Sequence, residues 1–183
     1  IKALKEKLDI SNMYEAIVGF PDQIKTAFSI MENWSPINGY SNINNILILG
    51  MGGSAIGGDV ARIILSKYIT VPIIVNRSYY IPNWVDERTL VIVSSYSGNT
   101  FETIGAYQQI RQKTNKIIAI SSGGILKKYC HEYNHIRLDM PIGFQPRCAL
   151  GYSSSIITLI LIELNLVDDK PGNTIKHELK LAS

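Results

Sequence analysis

Apolar residues fall along this chain in short blocks, each followed by a polar or glycine-rich turn. Ile46-Leu-Ile-Leu49, Val71-Pro-Ile-Ile-Val75, Val91-Ile-Val93 and Lys116-Ile-Ile-Ala-Ile120 are mainly aliphatic and often β-branched. Such runs predict strands buried on both faces. His135-Ile-Arg-Leu-Asp139 alternates instead and predicts an edge strand. Between the blocks, helical spacing predicts helices over 3–33, 56–67, 100–112, 125–133 and 149–164. Asp9-Ile-Ser-Asn-Met13 reads as a break in the first of these, with Pro21 starting a second helix at its first position. Ser35-Pro-Ile-Asn-Gly39 reads as a turn. The longest apolar run, Ile156 to Ile162, is interrupted by Thr158 and followed by Glu163, so it predicts a buried helix too short to span a membrane. Pro171-Gly-Asn-Thr174 opens a last helix, with Thr174 as its cap and Glu178 as a first-turn acid. Strands alternating with helices predict the α/β class. The expected form is a three-layer αβα sandwich with a mainly parallel, flavodoxin-like sheet of about five strands.

Ligands of such sheets sit outside the carboxyl ends of the strands, near a switch in strand order. Three turns at those ends stand out. They are Gly50-Met-Gly-Gly-Ser-Ala-Ile-Gly-Gly-Asp59, Ser94-Ser-Tyr-Ser-Gly-Asn-Thr100 and Ser121-Ser-Gly-Gly124. In the second, the hydroxyls of Ser95, Ser97 and Thr100 lie where a buried strand hands over to a helix. Free backbone amides and the positive end of the helix dipole point there. Gly98 would let the backbone approach a ligand. This pattern predicts a phosphate cradle that uses no lysine. The competing reading is that Thr100 only caps the helix, supported by Glu102 or Thr103.

The glycine turn offers the amides of Gly52, Gly53 and Ser54 to hydroxyls or to a developing oxyanion. It also has the look of a dinucleotide fingerprint, but in an imperfect register of Gly50, Gly52 and then Ala55. A ribose-binding acid should end the next strand, and Asn76 and Arg77 stand there instead, which disfavours NAD. Ser78-Tyr-Tyr-Ile-Pro-Asn-Trp-Val85 could line a pocket or pack on the surface, since amphipathic aromatics serve both uses. Arg147 lies in an irregular loop before the buried helix. Its neighbours Pro146 and Cys148-Ala-Leu-Gly151 lead us to expect that it is held in place.

Composition narrows the function classes. The chain has 183 residues, 46% hydrophobic and 18% charged, with a net charge of +3. That suits one domain with a core and peripheral helices. No dense Lys/Arg run points to nucleic acid. Cys130 and Cys148 have no metal-ligand spacing and read as free thiols of a reducing compartment, so a cytoplasmic location is expected. No secretory signal is visible.

The segments Gly50–Asp59, Ser94–Thr100 and Gln145-Pro-Arg-Cys-Ala-Leu-Gly-Tyr152 resemble, in order and spacing, the sugar isomerase (SIS) domain. More narrowly, they are similar to the bifunctional phosphoglucose/phosphomannose isomerase family. The resemblance is good over residues 40–165. It implies a helical segment over 1–40, an SIS domain over 41–168 and a helix over 169–183 leading toward a second SIS domain. It implies that Ser95, Ser97 and Thr100 hold a sugar phosphate and that Gly52, Gly53 and Ser54 lie along the sugar chain. It further implies that Arg147 stabilises a cis-enediol(ate) during interconversion of glucose or mannose 6-phosphate with fructose 6-phosphate. Neither metal nor nicotinamide is implied, and neither nucleic acid nor a membrane is an expected partner. A homodimer is expected. In the family the glutamate base and the ring-opening histidine lie in the second half, and nothing matching them is found here. His131 and His135 are not expected to be catalytic, His177 lies on the last helix near where the second domain should begin, and Glu102 fits a helix-dipole role better than a base. Two other readings stay open. One is a non-catalytic sugar-phosphate sensor, although residues 1–40 lack the basic character of a DNA-binding helix-turn-helix. The other is a stand-alone SIS isomerase completed by a homo-oligomer.

Overall fold

The aliphatic blocks form a five-stranded sheet whose three central strands bury side chains on both faces. Ile46 and Ile48, Leu90 and Ile92, and Ile118 and Ile120 join one buried cluster. Leu47 and Leu49, Val91 and Val93, and Ile117 and Ala119 join the other. This two-sided alternation is what a parallel sheet covered by helices requires. A computed structural model describes residues 8–32, 34–35 and 39–183. Residues 3–7 of the expected first helix and most of the Ser35–Gly39 turn lie outside the described residues.

In chain order the elements are α1 (Met13–Val18), α2 (Phe20–Glu32), β1 (Asn45–Leu49), α3 (Gly52–Leu65), β2 (Ile73–Asn76), β3 (Thr89–Ser94), α4 (Phe101–Ile110), β4 (Ile117–Ser121), α5 (Gly124–Glu132), β5 (Ile136–Asp139), a 3-10 turn (Pro146–Cys148), α6 (Leu150–Glu163) and α7 (Asp169–Leu181). The sheet order is β2-β1-β3-β4-β5, and every pair is parallel. This is the flavodoxin-like order, with its switch point between β1 and β3. One face carries α3 and α6, with α2 outside them, and the other carries α4 and α5.

Helix α6 is buried from Gly151 to Ile162. Two of its buried hydroxyls bond back to the helix's own carbonyls. Ser154 Oγ donates to the Leu150 carbonyl at 2.7 Å, and Thr158 Oγ1 donates to that of Ser154 at 2.8 Å. Close approach to α3 is possible because Gly57 lies against Ser153, where any Cβ would overlap the serine side chain.

Three expectations shift. Helix α3 begins at Gly52 rather than at residue 56, so the glycine turn is itself the first turn of the helix. Helix α7 begins at Asp169, which places its first-turn acid there. Thr174 is therefore interior, with its hydroxyl donating to the Lys170 carbonyl at 3.0 Å, and Glu178 lies toward the far end. Pro171 fits inside the first turn because its missing N–H falls among those without a helical partner. The break before α1 is formed by Asp9, whose carboxylate accepts the Met13 and Tyr14 amides at 2.7 and 2.8 Å.

Gly57→Val is expected to lower stability by about 1–3 kcal/mol through overpacking. The urea midpoint measures it, and an unchanged midpoint would show that α3 and α6 can separate at little cost.

Candidate functional site

The glycine turn after β1 and the hydroxyl turn after β3 flank the switch point and are joined directly. Ser54, in the first turn of α3, is buried, and its Oγ accepts the Tyr96 amide at 3.2 Å. The Arg147 turn meets the same place. A Cβ on Gly53 would lie 2.8 Å from the Pro146 carbonyl oxygen and 2.9 Å from Arg147 Cα. The residues singled out in three separate segments are thus in backbone contact.

Ser95 and Thr100 face each other, with Oγ and Oγ1 3.0 Å apart. Thr100 occupies the N-cap of α4, yet its side chain makes no capping bond to the helix. The first α-helical bond there runs from the Ile104 amide to the Thr100 carbonyl at 2.9 Å, so the amides at the start of α4 precede it. Thr100 therefore does not act as the simple cap considered from sequence. Ser95 is buried, whereas Ser97 is exposed and its Oγ accepts the Asn99 amide at 3.2 Å. Glu102 is the first-turn acid of α4, where the helix dipole favours it.

The third turn serves the second rather than standing free. Ser122 donates twice to the Tyr96 carbonyl, from its amide at 2.8 Å and its Oγ at 2.6 Å. Asn99 Oδ1 accepts the Ile125 amide at 2.9 Å, and the Gly98 carbonyl accepts that of Leu126, also at 2.9 Å. Gly98 has φ +67°, and a Cβ there would overlap the Gly123 carbonyl oxygen. Its glycine is thus required by an adjoining turn, where the sequence suggested a ligand.

The Arg147 backbone is fixed and its guanidinium is exposed, with Nη2 3.3 Å from Met13 Sδ. The next carbonyl, Cys148, accepts from Gln23 Nε2 at 2.7 Å, and Gln23 Oε1 accepts the Gly151 amide at 3.0 Å. The Tyr96 phenol donates to the Pro141 carbonyl and accepts the Phe144 amide, both at 2.8 Å. Sequence reasoning passed over Tyr96, Asn99 and Gln23. A signal existed for two of them. Tyr96 is an aromatic amid small turn residues, and Gln23 stands in the buried row of Ala27 and Met31.

The remaining candidates lie apart. His135 Nδ1 is 2.7 Å from the buried Tyr107 hydroxyl. Burial, and then the Arg111 charge, hold the His135 ring below its usual pKa. His131 is exposed on α5 and lines a groove with Lys127 and Lys128. His177 is on α7. Arg77, where a ribose-binding acid would stand, pairs with Asp59 of α3. The aromatic segment packs on α4, where the Tyr79 carbonyl accepts from Gln109 Nε2 at 2.6 Å. Cys130 and Cys148 are free and buried, and desolvation pushes the Cys130 thiol up to about 11. No helix among the described residues is long and apolar enough to cross a membrane.

Fold and site together define an SIS domain. The family model for that domain matches residues 39–167, and the chain belongs to that family. Within it, a bifunctional phosphoglucose/phosphomannose isomerase of Caldicellulosiruptor bescii is 43% identical over 167 residues, covering 90% of this chain and 49% of the relative. A relative of the same name from Thermoplasma acidophilum is 44% identical over 109 residues, covering 60% of this chain and 33% of its own length. The chain thus spans half or less of the length of these relatives. Among solved structures, the C-terminal domain of glucosamine-fructose-6-phosphate aminotransferase from Francisella tularensis shares the fold with a TM-score of 0.69 at 20% identity, covering 92% of this chain and 52% of that one.

Two outcomes are expected here. Gly98→Ala should destabilise more than Gly52→Ala. Both positions have positive φ, which costs a side chain about 1–2 kcal/mol, but at Gly52 nothing lies within 4 Å while at Gly98 a carbonyl is overlapped. Equal urea midpoints would refute the clasp between the two turns. Acidification should also act through His135. Its folded pKa is depressed, so the unfolded chain takes the proton first, and stability is lost as pH falls from the ordinary histidine value through the folded one. His135→Gln should flatten that slope in denaturation at stepped pH.

Proposed function

We propose that this chain is the phosphate-binding half of an aldose–ketose isomerase that interconverts glucose 6-phosphate and mannose 6-phosphate with fructose 6-phosphate. The observation that carries the reading is the N-cap threonine that does not cap. Thr100 turns its hydroxyl to Ser95 and leaves the α4 amides unfilled. A phosphate offers only acceptor oxygens, and hydroxyls beside open helix amides are donors suited to it. Ser97 and Thr100 donate to the phosphate, and Ser95 orients Thr100.

The sugar chain then runs toward Gly52, Gly53 and Ser54 at the switch point. The Ser54 hydroxyl is already engaged with Tyr96, so its contribution is to join the two turns. Arg147 abuts Gly53 and offers an exposed guanidinium at the other end of the substrate. There it stabilises the negative oxygen of a cis-enediol(ate) as a proton moves between C1 and C2. The carboxylate base and the ring-opening histidine come from a second SIS domain. This division fits a chain that spans half of the relatives named above. It also fits the segmentation into a helical lead over 1–40, a binding domain over 41–168 and a connecting helix over 169–183. A homodimer would cover part of the apolar surface exposed by Tyr14, Ile17 and Val18 of α1 and by Ile63 of α3. Two free, buried thiols suit a reducing cytoplasm.

In the full-length protein, Ser97→Ala with Thr100→Ala should weaken fructose 6-phosphate binding more than tenfold, since each charge-assisted hydrogen bond contributes about 1.5–3 kcal/mol. Calorimetric titration measures it. Unchanged affinity, or binding of NAD but not of the sugar phosphate, would overturn the assignment. Arg147→Ala should lower kcat more than it raises KM. The reverse pattern would make Arg147 a ground-state binding group.

A further inference from the structure

Tyr96 lies between the cradle serines Ser95 and Ser97. Its hydrogen bonds reach every part of the site. Its amide donates to Ser54 Oγ of the glycine turn. Its carbonyl takes two hydrogen bonds from Ser122 of the third turn. The residue is 7% exposed and belongs to the core cluster with Ile120, Met140 and Tyr152. Its phenol emerges under the 141–145 segment, donating to the Pro141 carbonyl and accepting the Phe144 amide at 2.8 Å each.

That segment is otherwise held by the packing of Phe144 on Tyr152, with ring centroids 5.4 Å apart, and by backbone bonds at its two ends. The Met140 amide is held by Ser121 at 2.9 Å, and the Cys148 amide by Gln145 at 2.8 Å. Between them Pro141 has no amide hydrogen, Ile142 is 79% exposed and Gly143 has φ +100°. Among the described hydrogen bonds, the phenol alone holds the middle of the stretch that leads into Arg147. A buried hydroxyl costs free energy unless it is bonded. Here it both donates and accepts, and both partners are backbone groups of that one loop. A phenylalanine would fill the same core space and tie nothing.

We propose that Tyr96 is a positioning residue. It acts as a strut that fixes the 141–147 loop, and so Arg147, relative to an anion held on Ser97 and Thr100. The inference rests on the isomerase reading above for its catalytic consequence, while its mechanical part stands on the hydrogen bonds alone. The strut is one residue from Ser97. Ordering the cradle on phosphate therefore orders the arginine loop by way of a buried ring and two backbone bonds.

The test is Tyr96→Phe in the full-length protein, read in two ways. The first is amide exchange with and without inorganic phosphate. In the variant the Phe144 amide should exchange at least tenfold faster, and phosphate should no longer add protection over 145–148, while the strand amides of Val91–Val93 keep theirs. Unchanged Phe144 exchange overturns the proposal whether or not the protein turns over a sugar. The second is kinetics with fructose 6-phosphate. KM should stay within about threefold of the parent value and kcat should fall at least tenfold, with no further loss when Tyr96→Phe is added to Arg147→Ala. Additive losses, or a kcat within twofold of the parent, overturn the strut. A parent protein that binds phosphate but turns over neither glucose nor mannose 6-phosphate would instead overturn the isomerase reading and leave the exchange result to decide the strut.

Discussion

Strands β1 and β3 are neighbours whose connections leave toward opposite faces of the sheet. Helix α3 returns over one face to β2, and α4 over the other to β4. The geometry opens a crevice beyond the strand ends, and a crevice must be bridged if its walls are to keep a fixed spacing. The hydrogen bond from the Tyr96 amide to Ser54 Oγ is that bridge. It is buried, so it is not weakened by competing water, and it joins the first turn of α3 to the turn before α4. This bond and the close approach of Gly53 to the Pro146–Arg147 backbone tie the hydroxyl turn, the glycine turn and the Arg147 turn together.

The glycines of the first motif show how close packing can imitate a cofactor signature. Gly53 admits the Pro146–Arg147 backbone, Gly57 admits Ser153 of α6, and Gly58 lies against Ile48 and Val75. These are contacts of helix with turn, helix and sheet. A dinucleotide fingerprint uses its glycines partly for the same purpose, the close seating of a helix on strands, so the two patterns converge on similar sequences. What separates them lies at the end of β2, where Arg77 is paired with Asp59. Similarly, Gly98 and Gly124 are adjacent because the turns after β3 and β4 interlock, with Asn99 supplying the acceptor at the start of α5.

The parallel sheet was legible because strands buried on both faces must be apolar throughout, and Ile46–Leu49 and Val91–Val93 are. The positions of the turns followed from the same blocks. Less legible was the start of α3. Gly52 and Gly53 are poor helix formers, and Gly53 is seated against a turn nearly a hundred residues later in the chain. The long-range roles of Gln23, Ser54 and Tyr96 were hidden for the same reason. Ser54 looked like a ligand donor and Tyr96 was passed over, because a local pattern cannot tell that each would find its partner across the crevice. Thr174 was misplaced for a more local reason. Pro171 can sit inside the first helical turn as readily as before it, so the true start at Asp169 left no sign that a proline-based boundary could read.

Among the described residues, the Ser95–Thr100 turn carries no lysine or arginine, which bears on how the substrate would be divided between its two ends. Neutral hydroxyls and amides can hold a phosphate through directed hydrogen bonds and the helix dipole. An arginine placed there would form a stronger, bidentate pair. It would also fix the guanidinium on a charge that does not change during isomerisation, where binding is equal in ground and transition states and adds nothing to turnover. On the isomerase reading, Arg147 is spared that use. Its backbone abuts Gly53, the next carbonyl is held by Gln23, and its exposed side chain reaches the Met13 thioether. A guanidinium so placed is rigid at its root and weakly committed at its tip. That combination lets its interaction grow as charge appears on an oxygen several bonds from the phosphate, which is the kind of interaction that lowers a barrier.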